Sequence, residues 1–385
     1  MDAMLELPYG RVPYPLDPGP RATILAPPEL PAPRDLATML DEALAAPIGR
    51  PPLGRIVHPG ARVTIVVSDA TRNEPRRLFL EALARQLPRT RWTLAIATGT
   101  HGPSPLAPLD LPADLVRHAR IVNHDGHCDD DLLDLGVTAR GTPVRVHRCV
   151  VDADLVIATG CIRPHYFAGF GAGAKAIFPG LGAAAAIRVN HALKTAPRAR
   201  AGIVDDNPCR DDLEDAVRLV PAPTFLLDAV AGPDGLPHAV VAGDVFTAFR
   251  AGAELARPWF RVRSPRASLI IASDGLPVTA TLYQAAKLAA AAAPLLADGG
   301  TLVIVAECAD GIGPLDVVNE AIFRIGVLPR LPPGGRLALV SSLAPELVAR
   351  TLVPYASSLS ELLQLHDGPV LVLPRASQLL CEPAT

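Results

Sequence analysis

A series of short apolar runs, each breaking abruptly into a polar or glycine-rich turn, restricts the fold of this chain more than any other feature. VTIVV at 63–67 breaks into SDATR, TLAIA at 93–97 into TGTH, and LVIA at 155–158 into a long glycine-rich stretch. LIIA at 269–272 breaks into SDGLP, and TLVIV at 301–305 is followed by the turn from Ala309 to Pro314. Apolar runs of this length bounded by turn residues read as buried strands, and the helical patterns between them make α/β units. The expected fold class is α/β, with parallel or mixed sheets flanked by helices. Ligands of open parallel sheets sit outside the carboxyl ends of the strands, so SDATR and ATGTH both stand where a site is built.

The glycine-rich stretch, GCIRPHYFAGFGAGAKAIFPGLGAAAAIRVNH at 160–191, organises the rest. It carries His165, Lys175 and His191, three nitrogen donors, among glycines that let backbone approach a ligand closely. Lysine occurs only at 175, 194 and 287, and arginine supplies the rest of the 36 basic residues. A chain that uses arginine nearly everywhere keeps lysine where a compact amine or a nucleophile is needed.

At 385 residues the chain is long for one core, and two domains are expected: 1–262, holding the cofactor and metal residues, and a smaller 263–385 unit, with the site in the cleft between them. The second unit opens with ASLIIASDGLP and the helix TLYQAAKLAAAAAPLL, which puts Gln284 and Lys287 three apart on one face. Residues 7–33 are studded with proline and read as an extended surface arm. NHDGHCDD at 123–130 reads as a polar surface turn, since it lacks fixed ligand spacing, and NPCRDDLEDAVRLV at 207–220 as a structural amphipathic helix. A net charge of −3 without a basic block argues against a nucleic-acid partner. No run is apolar and long enough for a membrane span, no signal peptide is evident, and six scattered cysteines fit a reduced, cytoplasmic protein.

Familiar catalytic motifs fail. Lys175 lies between alanines, so the final glycine and the hydroxyl of a phosphate-binding P-loop are missing. Pro179 interrupts the helix that a dinucleotide fingerprint requires, and no G-x-S-x-G elbow is present. What remains is a combination in fixed order. SDATR, ATGTH, PHYFAGFGAGAK with PGL, Asn190-His191 and LYQAAK, spread over residues 62–313, together resemble the nickel-dependent lactate racemase family.

That resemblance implies an isomerase, a racemase or epimerase of lactate or a larger 2-hydroxy acid, working with a nickel-pincer nucleotide (pyridinium-3-thioamide-5-thiocarboxylic acid mononucleotide). It implies that Lys175 attaches to the cofactor, with Ser68, Asp69, Thr71, Gly171 and Gly173 lining its site, and that His191 completes the nickel coordination. It gives His101 and His165 as the acid/base pair and Arg72, Tyr283, Gln284 and Lys287 as substrate-side residues. Cofactor-synthesis proteins are implied as transient partners. The donor chemistry is coherent: if the cofactor brings three of four donors to a square-planar nickel, one histidine is enough, and no cluster of metal-ligating residues is needed. Two departures stand out. Many relatives have Ser-Gly-Gly where Gly171-Ala172-Gly173 follow Phe170 here, and an acidic residue where Thr279 stands. The alternatives are a non-catalytic nickel-cofactor carrier or insertase, which needs Lys175 and His191 but not both His101 and His165, and a nicotinamide-dependent 2-hydroxy acid dehydrogenase.

Overall fold

Strand β1, Arg62–Ser68, shows why the apolar runs become sheet: Val63, Thr64, Ile65, Val66 and Val67 are all buried, on both faces of the pleat. β-branched side chains suit that environment, and full burial of a valine or isoleucine is worth about 1.5–3 kcal/mol. The computed structural model describes residues 4–356 and 358–384. It divides the chain into two compact units, residues 29–259 and residues 1–28 with 260–385. The fold is α/β in both.

In the first unit, β1 pairs in parallel with β2, Arg91–Ala97, on one side and with β4, Leu155–Ile162, on the other. Strand β3, Arg120–Asn123, extends the sheet beyond β2, and β5, Thr224–Ala231, beyond β4. Strand β6, Pro237–Gly243, closes the edge antiparallel to β5, giving the order β6-β5-β4-β1-β2-β3. Helices α1, Leu36–Ala45, and α2, Arg76–Gln86, cover one face: Leu40, Leu44, Phe79, Leu80 and Leu83 pack with Ile65, Val67, Ile96, Ile157 and Leu227. The loops after β1, β2 and β4 leave the same sheet at its carboxyl end. The first leads into α2, and the last into helices α3, Ala184–Ala192, and α4, Pro208–Arg218.

The second unit is built on a five-stranded parallel sheet in the order Arg336–Val340, Leu296–Val305, Ala267–Ser273, Val370–Leu373 and Ala22–Ile24. The N-terminal arm, expected to be an extended surface segment, instead supplies the strand Ala22–Ile24 to this sheet. Leu7 and Leu16, in a hairpin before it, are buried against Leu269, Ile271 and Val303. Proline marks the segment as irregular, but the leucines between the prolines bury like any core residue. The helix at Leu282–Ala292 is capped by Thr281, whose hydroxyl accepts from the Gln284 amide. Among the described residues no helix is long and apolar enough to cross a membrane.

Candidate active site

The SDATR turn is built around one buried carboxylate. Asp69 accepts from the amide and the hydroxyl of Thr71, at 2.9 and 2.5 Å, and its other oxygen lies 2.7 Å from Nδ1 of His101, which arrives on the loop after β2. Burial alone would raise the Asp69 pKa, but the hydrogen bonds from His101 and Thr71 override it and pull it down to about 2. An ionised carboxylate can only accept, so Nδ1 of His101 carries a proton, and in the neutral ring the lone pair is then on Nε2. The turn is held from behind by Arg76, buried under it, whose guanidinium donates to the carbonyls of Ser68, Asp69 and Arg72. Glu74, also buried, accepts from the Ser68 amide at 2.8 Å and from Thr159 of β4. Arg72 itself is exposed, within electrostatic reach of Asp69 and of Arg163.

The glycine loop turns back on itself through a small hairpin in which Pro164 pairs with Phe170 and His165 with Gly169. Gly169 has φ +74°, and a Cβ there would lie 2.1 Å from the Ile203 carbonyl oxygen, so only glycine fits. His165 receives the Ala168 amide on Nδ1 at 3.3 Å, which puts its own proton on Nε2, the reverse of His101. The ring of Phe167 stands edge-on to both His165, at 4.6 Å between centroids, and His191 of α3, at 4.9 Å. His191 is partly buried and its Nδ1 makes no hydrogen bond. Burial first, then the charges of Lys175 and Lys194, push its pKa down to about 3, with the Ile187 carbonyl a weak opposing influence. The imidazole is therefore neutral, as a metal ligand must be.

Among the described residues no group of three or more His, Cys, Asp or Glu could hold a metal ion. A neutral, partly buried imidazole with an unpartnered nitrogen fits a metal whose remaining donors come from a cofactor. Lys175, whose charge reaches His191, fits an amine that bonds to that cofactor.

Sequence reasoning missed the support beneath the loop. NPCRDDLEDAVRLV does form a helix, yet Arg210, Asp212 and Glu214 are completely buried. Asp212 accepts from Thr138, from Thr142 at 2.7 Å and from Asn190 at 2.8 Å, tying the neighbour of His191 to α4. Position offered a signal: Arg210 falls in line with Leu213 and Val217 on the apolar face. Asp228 lies inside the apolar run TFLLDAVA, where a carboxylate needs a reason. The NHDGHCDD segment is only partly the expected surface turn, because His124 is buried and its Nε2 is 3.0 Å from the Gly182 carbonyl.

Of the other expected residues, Tyr283, Gln284 and Lys287 lie on the helix Leu282–Ala292 of the second unit, where the Lys287 ammonium donates to Gln284. Thr279, just before that helix, is buried and its hydroxyl makes no hydrogen bond.

The loops at the carboxyl end of this sheet thus carry a carboxylate-held histidine, a second histidine and a lysine, and the helix that follows carries a histidine with an unpartnered nitrogen. Residues 9–202 match the lactate racemase N-terminal domain. The chain is 30% identical over 308 residues to the lactate racemase of Thermoanaerobacterium thermosaccharolyticum, covering 74% of this chain and 72% of that protein. To the lactate racemase of Lactiplantibacillus plantarum it is 29% identical over 283 residues, covering 71% and 66%. It superposes on the lactate racemase apoprotein from T. thermosaccharolyticum with a TM-score of 0.85 and 26% identity, over 99% of this chain and 100% of the other. A crystal structure of a Thermotoga maritima protein, at 17% identity and TM-score 0.66 over 90% of this chain and 98% of that one, shares the fold. The chain belongs to the lactate racemase family, and it is an isomerase.

Proposed function

We propose that this protein inverts C2 of a 2-hydroxy carboxylate, lactate or a larger relative, with a nickel-pincer nucleotide bound in the unit formed by residues 29–259. The observation that carries this reading is the pairing of His101 with Asp69 in the same unit as His165 and the neutral His191. A carrier or insertase has no use for a carboxylate-oriented base, so the pairing favours catalysis over delivery.

When bound, such a cofactor supplies a nickel ion and a pyridinium ring that can take and return the C2 hydrogen with its electron pair. His191 would ligate the nickel and Lys175 would anchor the nucleotide, with Ser68, Asp69, Thr71, Gly171 and Gly173 around it. His101 takes the hydroxyl proton on Nε2 while Asp69 stabilises the imidazolium that forms. To return a proton to the same oxygen from the other side, His165 must be an imidazolium: the second proton goes on Nδ1 and releases the Ala168 amide, the Nε2 proton is given to the oxygen, and the ring is left neutral with a lone pair on Nε2. For the opposite enantiomer the roles exchange, His165 taking the hydroxyl proton and the His101 imidazolium returning one. General acid–base help of this kind is worth about 10²–10⁴ in rate. Arg72 holds the substrate carboxylate through a charge-assisted hydrogen bond of about 1.5–3 kcal/mol.

The test uses protein made in a host that synthesises the cofactor. One enantiomer of lactate, deuterated at C2, should yield the other enantiomer with the deuterium kept in ordinary water. Washing the label out while racemisation continues overturns the proposed chemistry. Intact mass should show the nucleotide on wild type and not on Lys175→Ala, and nickel should be lost from His191→Ala.

A further inference from the structure

The loop that carries Lys175 rests on two completely buried charged residues that contact no solvent. Arg210 of α4 donates from Nε to the Ala168 carbonyl at 3.2 Å and from Nη2 to the Phe170 carbonyl. Its guanidinium carbon lies 4.1 Å from the centre of the Phe249 ring, on the helix Thr247–Phe260. Asp228 of β5 accepts the Gly173 amide at 2.9 Å, and its second oxygen has no partner. A guanidinium in this setting is costly unless its forks are used, and two of them are used on consecutive turns of one loop.

The segment between these two holds is strained. Ala172 has φ +65° and ψ −159°, a region populated almost only by glycine. Gly173 follows at φ +65°, pressed so near Phe249 that a Cβ would lie 2.6 Å from the ring. Strain of this kind persists only where the surroundings over-determine the backbone, and Arg210, Asp228 and Phe249 are those surroundings. Two residues beyond Gly173 stands Lys175.

We propose that Arg210 and Asp228 are positioning residues for Lys175, fixing the strained 168–173 backbone so that the amine is held in one direction for bond formation. This rests on the reading of Lys175 as the cofactor anchor. Neither residue touches substrate or cofactor. Burial holds the Asp228 carboxyl well above the usual carboxylate range, with the Gly173 amide and the charge of Arg210 opposing it.

The presence of only three lysines permits a direct test on cofactor-free, full-length protein. Trace acylation with acetic anhydride, read by mass spectrometry, gives the reactivity of Lys175 relative to Lys287 in the other unit. Arg210→Met should change that ratio at least about threefold and speed amide exchange over 168–175 about tenfold, with strand 62–68 unchanged. Arg210→Lys, which keeps the charge but not the fork, should fall between wild type and Arg210→Met. An unchanged ratio and unchanged exchange in a folded Arg210→Met overturn the proposal, as does an equal acceleration of strand 62–68, which marks general destabilisation. Should Arg210→Met not fold, Asp228 decides: Asp228→Leu should free the Gly173 amide to exchange about tenfold faster and Asp228→Asn should restore its protection, whereas protection unchanged in Asp228→Leu overturns the idea. Failure of the anchor reading itself shows elsewhere, as an absent nucleotide mass on wild-type Lys175.

Discussion

The loops after β1 and β4 are built alike from behind and differently in front. Each has its carbonyls gathered by one buried arginine, Arg76 under SDATR and Arg210 under the glycine loop. In front, Asp69 of the first loop takes the Nδ1 proton of His101, while the second loop gives its Ala168 amide to Nδ1 of His165. The same imidazole is thereby delivered in two tautomers, one with an accepting Nε2 and one with a donating Nε2–H. Charge orients the first histidine. Backbone geometry orients the second, and the strain in that region is spent on geometry. The two loops should therefore fail in different ways.

The largest effect should come from reversing the charge-held side. Asp69→Asn keeps the shape but can donate to Nδ1, which turns the His101 tautomer round and removes the partner of its imidazolium. Turnover should fall by about 10²–10⁴ with nickel content unchanged. Kinetics and metal analysis on one preparation check this, and full activity would remove Asp69 from the mechanism. On the geometry-held side, Gly173→Ala forces a methyl against Phe249 and holds a non-glycine residue at positive φ. It should cost about 2–4 kcal/mol of stability by overpacking and backbone strain, measured as a shift of the denaturant midpoint. Adding Phe249→Leu should recover part of that loss, and strictly additive costs would show that the clash is not with Phe249.

The strands, and the polar turns at their ends, were legible because an apolar run ending in polar or glycine residues has few other readings. The histidines and lysine stood out by rarity and position within those turns. What could not be read was everything held by a distant partner. Asp212 and Glu214 look like the wet side of an amphipathic helix, and although Arg210 falls on its apolar face, nothing local says that Ala168, Thr142 and Arg250 will meet the three. Asp228 was visible as an anomaly but not as the acceptor for Gly173, 55 positions away. The proline-rich arm hid a strand whose partner, Val370–Leu373, comes at the far end of the chain.

The comparison also predicts acid behaviour. His147, buried near the base of the ATGTH side, accepts the Cys149 amide on Nδ1 and packs edge-on to His124. Burial, then His124, push its pKa down to about 4. A histidine whose folded pKa is depressed binds its proton more readily in the unfolded chain, so its contribution is intact above the unfolded value near 6.5 and declines as pH falls toward 4. Stability should drop by roughly 1.4 kcal/mol per pH unit across that window. Asp69 works at lower pH: held near 2, its contribution is present above its unfolded value of about 3.9 and is lost below it. Urea midpoints from pH 7 to 4 should flatten in His147→Gln, and an unaltered slope there would assign the acid sensitivity to other groups.

The smallest effect sharpens the comparison most, because it concerns the residue beside Gly173, whose substitution should cost the glycine loop about 2–4 kcal/mol. Gly173 and Ala172 both have positive φ, but only Gly173 faces a ring; the Ala172 methyl already has its space, against the backbone of Gly160. Ala172→Gly therefore removes backbone strain of about 1–3 kcal/mol in the folded loop, against about 0.4–1 kcal/mol of added freedom in the unfolded chain. The net should be a gain of roughly 1 kcal/mol with an unchanged denaturant slope. The sign matters more than the size. A gain means that the loop holds Ala172 against its preference, as a backbone fixed by Arg210 and Asp228 must. A loss means that the methyl's contact with Gly160 outweighs the strain, and that the loop is shaped by packing at its front rather than by the two buried charges behind it.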